Sequence, residues 1–202
     1  MPPARADHDA RREDVSAAVW QVLATHGFPG LTLRAVAAAL GASTGLVTHY
    51  FGGKRELVAH ALDILEIRTA QRTRLRAPAP GLPALRTHIL NILPLTPDGL
   101  AMNRIWVSSW DVALADPDLY SAQTRRYERI RAAFQESIVV AQKQGELPTG
   151  DPDEIAATSL AFTHGLVVQV LFDPDRFPAE RQTRLADDFL ATLRNPAHEP
   201  SA

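Results

Sequence analysis

The sequence predicts an all-α protein of about nine helices, with an N-terminal three-helix unit ahead of a larger helical body. Three observations carry that prediction. Apolar residues recur with a period near 3.6 towards both ends of the chain. Three Thr-Pro-Asp or Asp-Pro-Asp marks, beginning at Thr96, Asp116 and Asp151, each set an N-cap residue ahead of a proline suited to the first helical position. The stretch 31–57, LTLRAVAAALGASTGLVTHYFGGKREL, spaces Ala37, Gly41 and Val47 as two short helices meeting at a tight turn require.

The first helix is carried by Val15, Ala18, Val19, Val22 and Leu23, at offsets of three, four, seven and eight residues, with Gly27 placed to end it. Thr32–Leu40 and Thr44–Tyr50 follow as short helices. Ala37 supplies a small side chain where the two come closest, Gly41 permits the positive backbone angle of the turn, and Val47 locks the second helix onto the first, which makes a helix-turn-helix. The second helix begins after the N-cap candidate Ser43, turns Thr44, Gly45, Thr48 and His49 outward, and buries Leu46, Val47 and Phe51. A longer helix runs from Lys54 to Arg76 with Leu57, Val58, Ala61, Leu62 and Leu65 as its buried stripe. Ala77-Pro78-Ala79-Pro80-Gly81-Leu82-Pro83 cannot continue it, because repeated prolines remove donors and clash with the preceding carbonyls. The expected division is an N-terminal arm and helix-turn-helix unit over 1–53, then a larger helical body over 54–202, with 54–76 as a shared connector.

The three proline-led caps open further helices. Asp151 is followed three residues later by Glu154, an Asp version of the capping box, and the helix from Pro117 should end at Gly145. Gly165–Phe172 is valine-rich enough to suggest a buried strand, but the apolar run from Ile155 is too long for one and is capped as a helix. Leu185, Ala186, Phe189, Leu190 and Leu193 mark a final helix, stopped by Asn195-Pro196 with a frayed tail beyond.

Composition prunes the functions. A chain of 202 residues, 46% hydrophobic and 22% charged, is ordinary for a soluble globular protein. With no cysteine there is no disulfide, thiolate nucleophile or zinc-finger ligation. No nucleophile elbow, phosphate loop or HExxH pair occurs, so neither an enzyme nor a metal or cofactor is expected. Met1–Asp14 has charges but no apolar signal core, and Thr158, Ser159, Thr163, His164 and Gln169 interrupt the most apolar stretch, so a cytoplasmic protein without membrane contact is expected. The net charge of −2 divides unevenly: residues 1–76 carry +3 and residues 77–202 carry −5. A positive head can approach phosphates while an acidic body stays off the duplex; at +3, geometry must supply much of the affinity.

The 31–57 segment resembles the DNA-binding domain of TetR-family transcriptional regulators, and Gly45-Leu46-Val47-Thr48-His49-Tyr50-Phe51 followed by Gly53-Lys54 is similar to the BetI-type branch. The motif covers the first third of the chain; beyond it the likeness lies in length, helix count and arrangement. The resemblance implies a sequence-specific DNA-binding regulator, a repressor released from a near-palindromic operator when a small molecule binds the C-terminal domain. The alternative is a ligand-independent architectural DNA-binding protein with a packed body.

Residue roles follow on those terms. Thr44, Thr48 and His49 have the groups to read base edges, Gly45 lets the backbone come close, and Ser43 caps the reading helix. Tyr50 and Lys54 resemble the family's phosphate anchors, and Thr32 and Arg34 resemble further contact positions; Tyr50 also suits the small core, and Lys54 also reads as a solvated lysine. One small recognition helix needs a homodimer to span half-sites roughly 34–36 Å apart. The last two helices offer Leu160, Leu166, Val167, Val170, Leu171, Phe189 and Leu193 as the dimer surface, residues that serve equally well as protomer core. Met102, Trp106 and Trp110 fall one helical turn apart, with Tyr127 and Phe134 on the following helix: core or effector pocket. Asp111 beside Trp110 adds the possibility of an aromatic box for a quaternary ammonium, choline by the BetI-type likeness. His164 reads as a hydrogen-bonded core histidine or a ligand contact.

Overall fold

A computed structural model describes residues 3–194; the expected Asn195-Pro196 stop and the tail lie outside the described residues. Among the described residues there are ten helices and no strand. They are α1 (Pro3–His26), α2 (Leu33–Leu40), α3 (Thr44–Tyr50), α4 (Lys54–Gln71), α5 (Leu82–Ile92), α6 (Pro97–Ser108), α7 (Trp110–Ala115), α8 (Pro117–Lys143), α9 (Pro152–Phe172) and α10 (Ala179–Arg194). Ser109 alone parts α6 from α7, and counting the two as one broken helix gives the expected nine. The chain forms two compact units. The first joins the residues up to Arg72 with Arg104–Tyr120; the second joins Thr73–Asn103 with the residues from Ser121 onward. Both α6 and α8 therefore run from one unit into the other.

In the first unit α1 packs on α2 and α4, and α2 on α3. At eight and seven residues, α2 and α3 are too short to be stable alone. Tertiary burial holds them: Leu23, Leu31, Val36, Val47, Leu57 and Leu65 are all 1% exposed or less, each worth about 1.5–3 kcal/mol. The turn is built as expected. Gly41 stands at φ 67°, and the Ala42 and Gly41 amides donate to the Ala37 and Ala38 carbonyls, closing α2 with a Schellman motif. Gly27, at φ 63°, ends α1. His60 of α4 ties back to α1: the Ser16 hydroxyl donates to the Arg12 carbonyl, so His60 Nε2, 3.0 Å from Ser16 Oγ, is the donor of that pair.

Two boundaries differ from expectation. α4 ends at Gln71, five residues before Arg76. Asn91 explains the early exit: its Oδ1 accepts from the Leu75 amide at 2.8 Å and its Nδ2 donates to the Leu75 carbonyl at 3.0 Å, pairing both backbone groups in a non-helical segment. On α4 itself, Ile64 joins the buried stripe and Leu62 is only half-buried. The second difference is α5, a helix the proline run conceals. Pro83 lies in its first turn, where a missing N–H costs nothing, and Glu146 Oε2 accepts the Leu82 amide at 2.7 Å.

In the second unit α5 packs on α9 and α10. Leu85, Ile89, Phe134, Ile138, Val167 and Val170 are buried, and Arg86 pairs with Asp187, the guanidinium Nε 2.5 Å from Oδ1. All three proline-led caps open helices as read, and Asp151 accepts the Asp153 amide at 2.9 Å. α10 starts at Ala179, ahead of its first apolar signal at Leu185. Contrary to the expectation from its polar interruptions, α9 is long and apolar enough, by length and composition, to cross a membrane: its most apolar window has a mean hydropathy of 1.7, and only 39% of that window is buried. One apolar side of α9 is thus open in the protomer.

Candidate nucleic-acid interface and effector body

The sequence of α3 divides it into an anchored and an open face. Val47 is fully buried and Leu46 half-buried, whereas Thr44, Gly45, Thr48 and His49 are exposed. Ser43 Oγ accepts the Leu46 amide at 3.3 Å, fixing the start of the helix. Thr48 Oγ1 donates to the Gly45 carbonyl at 2.9 Å, so its hydroxyl proton is committed and it presents lone pairs and a methyl group outward. That combination suits a base amino group or a thymine methyl. The half-buried Tyr50 meets the His49 ring edge-on at 5.8 Å. Thr32 Oγ1 caps α2 by accepting the Ala35 amide at 3.0 Å, and Arg34 is exposed beside it.

Lys54 is exposed at the first position of α4, after the extended Gly53. Its neighbours carry features the sequence reading missed. Glu56 Oε2 accepts the Gly52 amide at 2.7 Å, so a phosphate approaching this corner also meets a carboxylate. Arg55 reaches the Asp116-Pro117-Asp118 turn within the same unit: Nε donates to Asp116 Oδ2 at 2.8 Å and Nη2 to Asp118. Hydrogen bonding to Arg55, then the Leu119 amide, holds the Asp116 carboxyl below the usual carboxylate range, and the same bond raises the Arg55 pKa. Those carboxylates read from the sequence only as helix caps; that they share one side of a turn is a tertiary fact. Two further bonds fix Arg104–Tyr120 to the rest of this unit. The Phe28 amide donates to Ser108 Oγ at 3.3 Å, and Trp106 Nε1 donates to Thr69 Oγ1 at 3.0 Å.

The aromatic residues expected to share a pocket are distributed over both units. Trp106 and Trp110 belong to the first, Met102, Tyr127, Phe134 and His164 to the second. Trp106 is 6% exposed and uses its N–H on Thr69, as a core residue does. Asp111, the carboxylate of the expected ammonium box, is exposed to solvent. Phe134 is buried and stacks on His88 at 5.8 Å. Tyr127 and His164 do come together, ring centroids 5.2 Å apart.

Residues 16–61 match the family described as bacterial regulatory proteins of the tetR family, and residues 83–195 match the BetI-type transcriptional repressor C-terminal domain. The chain belongs to the TetR family. It is similar to the HTH-type transcriptional regulator PksA of Bacillus subtilis, 25% identical over 186 residues (91% of this chain, 89% of that one). It is also similar to the regulator BetI of Burkholderia mallei, 27% identical over 191 residues (93% and 95%). Among solved structures it shares its fold with a transcriptional regulator from Rhodococcus sp. Rha1 (TM-score 0.76, 24% identity, 94% and 98% covered). A regulator from Saccharomonospora viridis in complex with choline has the same fold (TM-score 0.78, 21% identity, 91% and 96% covered). The TetR-family assignment makes the chain a transcriptional regulator with DNA-binding and ligand-binding domains, a non-enzymatic class.

The residues read as dimer surface or protomer core divide between the two. Leu160, Leu166, Val167 and Val170 are 1–5% exposed inside the protomer, because they face its own core, and so are unavailable to a partner. Leu171, Phe189 and Leu193 remain partly accessible. What lies fully open is a stripe the sequence reading passed over: Ala161, Gly165, Gln169 and Phe172, the last 86% exposed, along a groove of about 720 Å³ between α9 and α10. Phe162 stacks on Phe189 at 4.2 Å beside it.

Proposed function

We propose that this TetR-family regulator is a cytoplasmic homodimeric repressor that leaves a near-palindromic operator when a small molecule occupies its body. The observation that carries the reading is the division of α3, which anchors Val47 and presents Thr44, Gly45, Thr48 and His49 to a major groove. Thr48 and His49 read base edges; Tyr50, Lys54, Thr32 and Arg34 hold phosphates and set register. Two copies joined through the open side of α9 and the adjoining α10 supply the paired recognition helices. The open groove and the exposed Phe172 support that surface. The choline complex of the S. viridis neighbour supports a small-molecule effector in the body. A hundredfold loss of operator affinity needs about 2.7 kcal/mol of differential binding between the two conformers.

Salt-titrated gel shifts on a near-palindrome from the chain's own upstream DNA test the reading. The double variant Tyr50→Phe with Lys54→Ala weakens operator and random duplex alike and flattens the salt dependence, whereas Thr48→Ala weakens the operator selectively, by about 1–3 kcal/mol. Equal affinity of the wild type for operator and scrambled duplex replaces this reading with that of an architectural DNA-binding protein. Phe172→Glu yields monomers in sedimentation and loses operator affinity while keeping helical content; an intact dimer removes the α9 surface from the proposal.

A further inference from the structure

The corner that carries Lys54 is short of positive charge. Within the first unit it gathers two cations, Lys54 and Arg55, and three carboxylates, Glu56, Asp116 and Asp118, where duplex phosphates are to be met. Arg55 is the decisive member. It follows Lys54 in the first turn of α4 with its side chain 64% exposed, yet its fork is already taken. Nε donates to Asp116 Oδ2 at 2.8 Å and Nη2 to Asp116 Oδ1 at 3.5 Å, while Nη2 also reaches Asp118. A pair of neighbouring N–H groups on paired oxygens is the arrangement by which arginine binds a phosphate. Asp116 is held ready for it: Oδ1 also accepts the Asp118 and Leu119 amides, at 3.0 and 3.2 Å, which fixes the carboxylate in place.

Exposed ion pairs add little to folding, so stability is a weak reason for two carboxylates to share one arginine here. Affinity for DNA of any sequence, by contrast, depends directly on how many cations reach phosphates. We infer that the Asp116–Asp118 turn is an internal stand-in for a phosphate, which withholds Arg55 from DNA and so limits the affinity of this regulator for duplex of any sequence. Glu56, on the Gly52 amide, acts in the same direction. Such a limit serves an effector-released protein, because a conformer whose recognition helices no longer fit the operator then leaves the duplex instead of staying on it through phosphate contacts alone. The inference rests on the placing of Lys54 against phosphates in the reading above and adds a determinant of affinity on the same helix turn.

Salt titration of the full-length protein on random duplex tests it, because the slope of log affinity against log salt counts phosphate contacts, which a purely structural role does not change. Asp116→Asn with Asp118→Asn keeps a capping oxygen and frees Arg55. Random-duplex affinity rises, and the slope steepens by about 0.9, which is about 3.5-fold in affinity between 50 and 200 mM salt. Adding Arg55→Ala to that double variant returns the slope to the wild-type value. A triple variant with a shallower slope than the wild type means that Arg55 already sits on a phosphate, and overturns the inference. Equal slopes in all three proteins overturn it too, since the freed guanidinium then reaches no phosphate. Should the double variant fail to fold, Asp118→Asn alone leaves the Asp116 cap whole and steepens the slope by a smaller step; no change there overturns the inference. Equal wild-type affinity for operator and scrambled duplex overturns the proposed function instead, and the slopes on random duplex still judge the hold on Arg55.

Discussion

Gly41 shows how much a single residue can disclose. Its place between two short apolar patterns forecast the positive φ, and the backbone has it at 67°. A Cβ there meets nothing within 4 Å, so Gly41→Ala suffers only the left-handed backbone penalty: urea unfolding should register a loss of about 1 kcal/mol, up to 2. Gly81, at φ 84°, is a harsher position, because a Cβ would run into the Glu146 and Gln144 side chains and displace the carboxylate that holds the Leu82 amide. Gly81→Ala is therefore the more damaging of the two, measured by the same unfolding curves. Thr48 marks the limit of the sequence at this scale. Its outward direction was legible from helical phase, but the hydrogen bond its hydroxyl donates to the Gly45 carbonyl depends on a rotamer. Thr48→Val, which keeps the methyl and removes the acceptor, should retain affinity for a thymine-methyl contact and lose it for a base amino donor, as operator variants at the contacted pair would show.

Elements were legible where caps and periodicity agreed, and obscured where one residue did two jobs. The marks at Thr96, Asp116 and Asp151 opened three helices because an N-cap oxygen ahead of proline has few other uses. Pro83 hid α5 because proline both ends and begins helices, and only the Glu146 bond to the Leu82 amide says which. The early end of α4 was invisible because Asn91, sixteen residues on from Leu75, imposes it. The attachment of Arg55 to the α7–α8 turn belongs here too, and it is testable by pH. Asp116 has a folded pKa below its unfolded value, so the stabilisation from pairing is fully present above the ordinary carboxylate range and is lost as pH falls through the lowered folded value. The difference in thermal midpoint between wild type and Asp116→Asn should hold constant above about pH 5 and shrink towards pH 3. A difference that does not change with pH would assign the contribution of Asp116 to capping of Asp118 and Leu119 alone.

For the molecule as a whole, acid response separates into two ranges. His60, His88 and His164 each have a folded pKa below the ordinary imidazole value, burial being the first cause in all three. Their stabilising contribution is present above about pH 6.5 and is lost as pH falls through the lowered folded values, since the unfolded chain takes up protons first. The melting temperature should therefore fall between pH 7 and 5, well before Asp116 titrates, and the triple replacement by glutamine should flatten that slope. The exposed face of α3 was legible because one short helix displays it in sequence order. The body was not: Trp106 and Trp110 sit on the same helical spacing as Met102, yet a unit boundary falls after Asn103, and nothing local marks it. The α9 residues kept both a core and a surface reading for a related reason, since helical phase cannot say which of two apolar sides faces inward when both are apolar.

The membership of Arg104–Tyr120 in the first unit has a practical consequence for building hybrid regulators. A graft that transplants only residues 1–72 onto a foreign effector module leaves behind the indole that donates to Thr69, the serine that receives the Phe28 amide and both carboxylates that hold Arg55. The portable cassette is discontinuous, so a working swap has to carry 104–120 along with the N-terminal segment and place its splice points within α6 and α8.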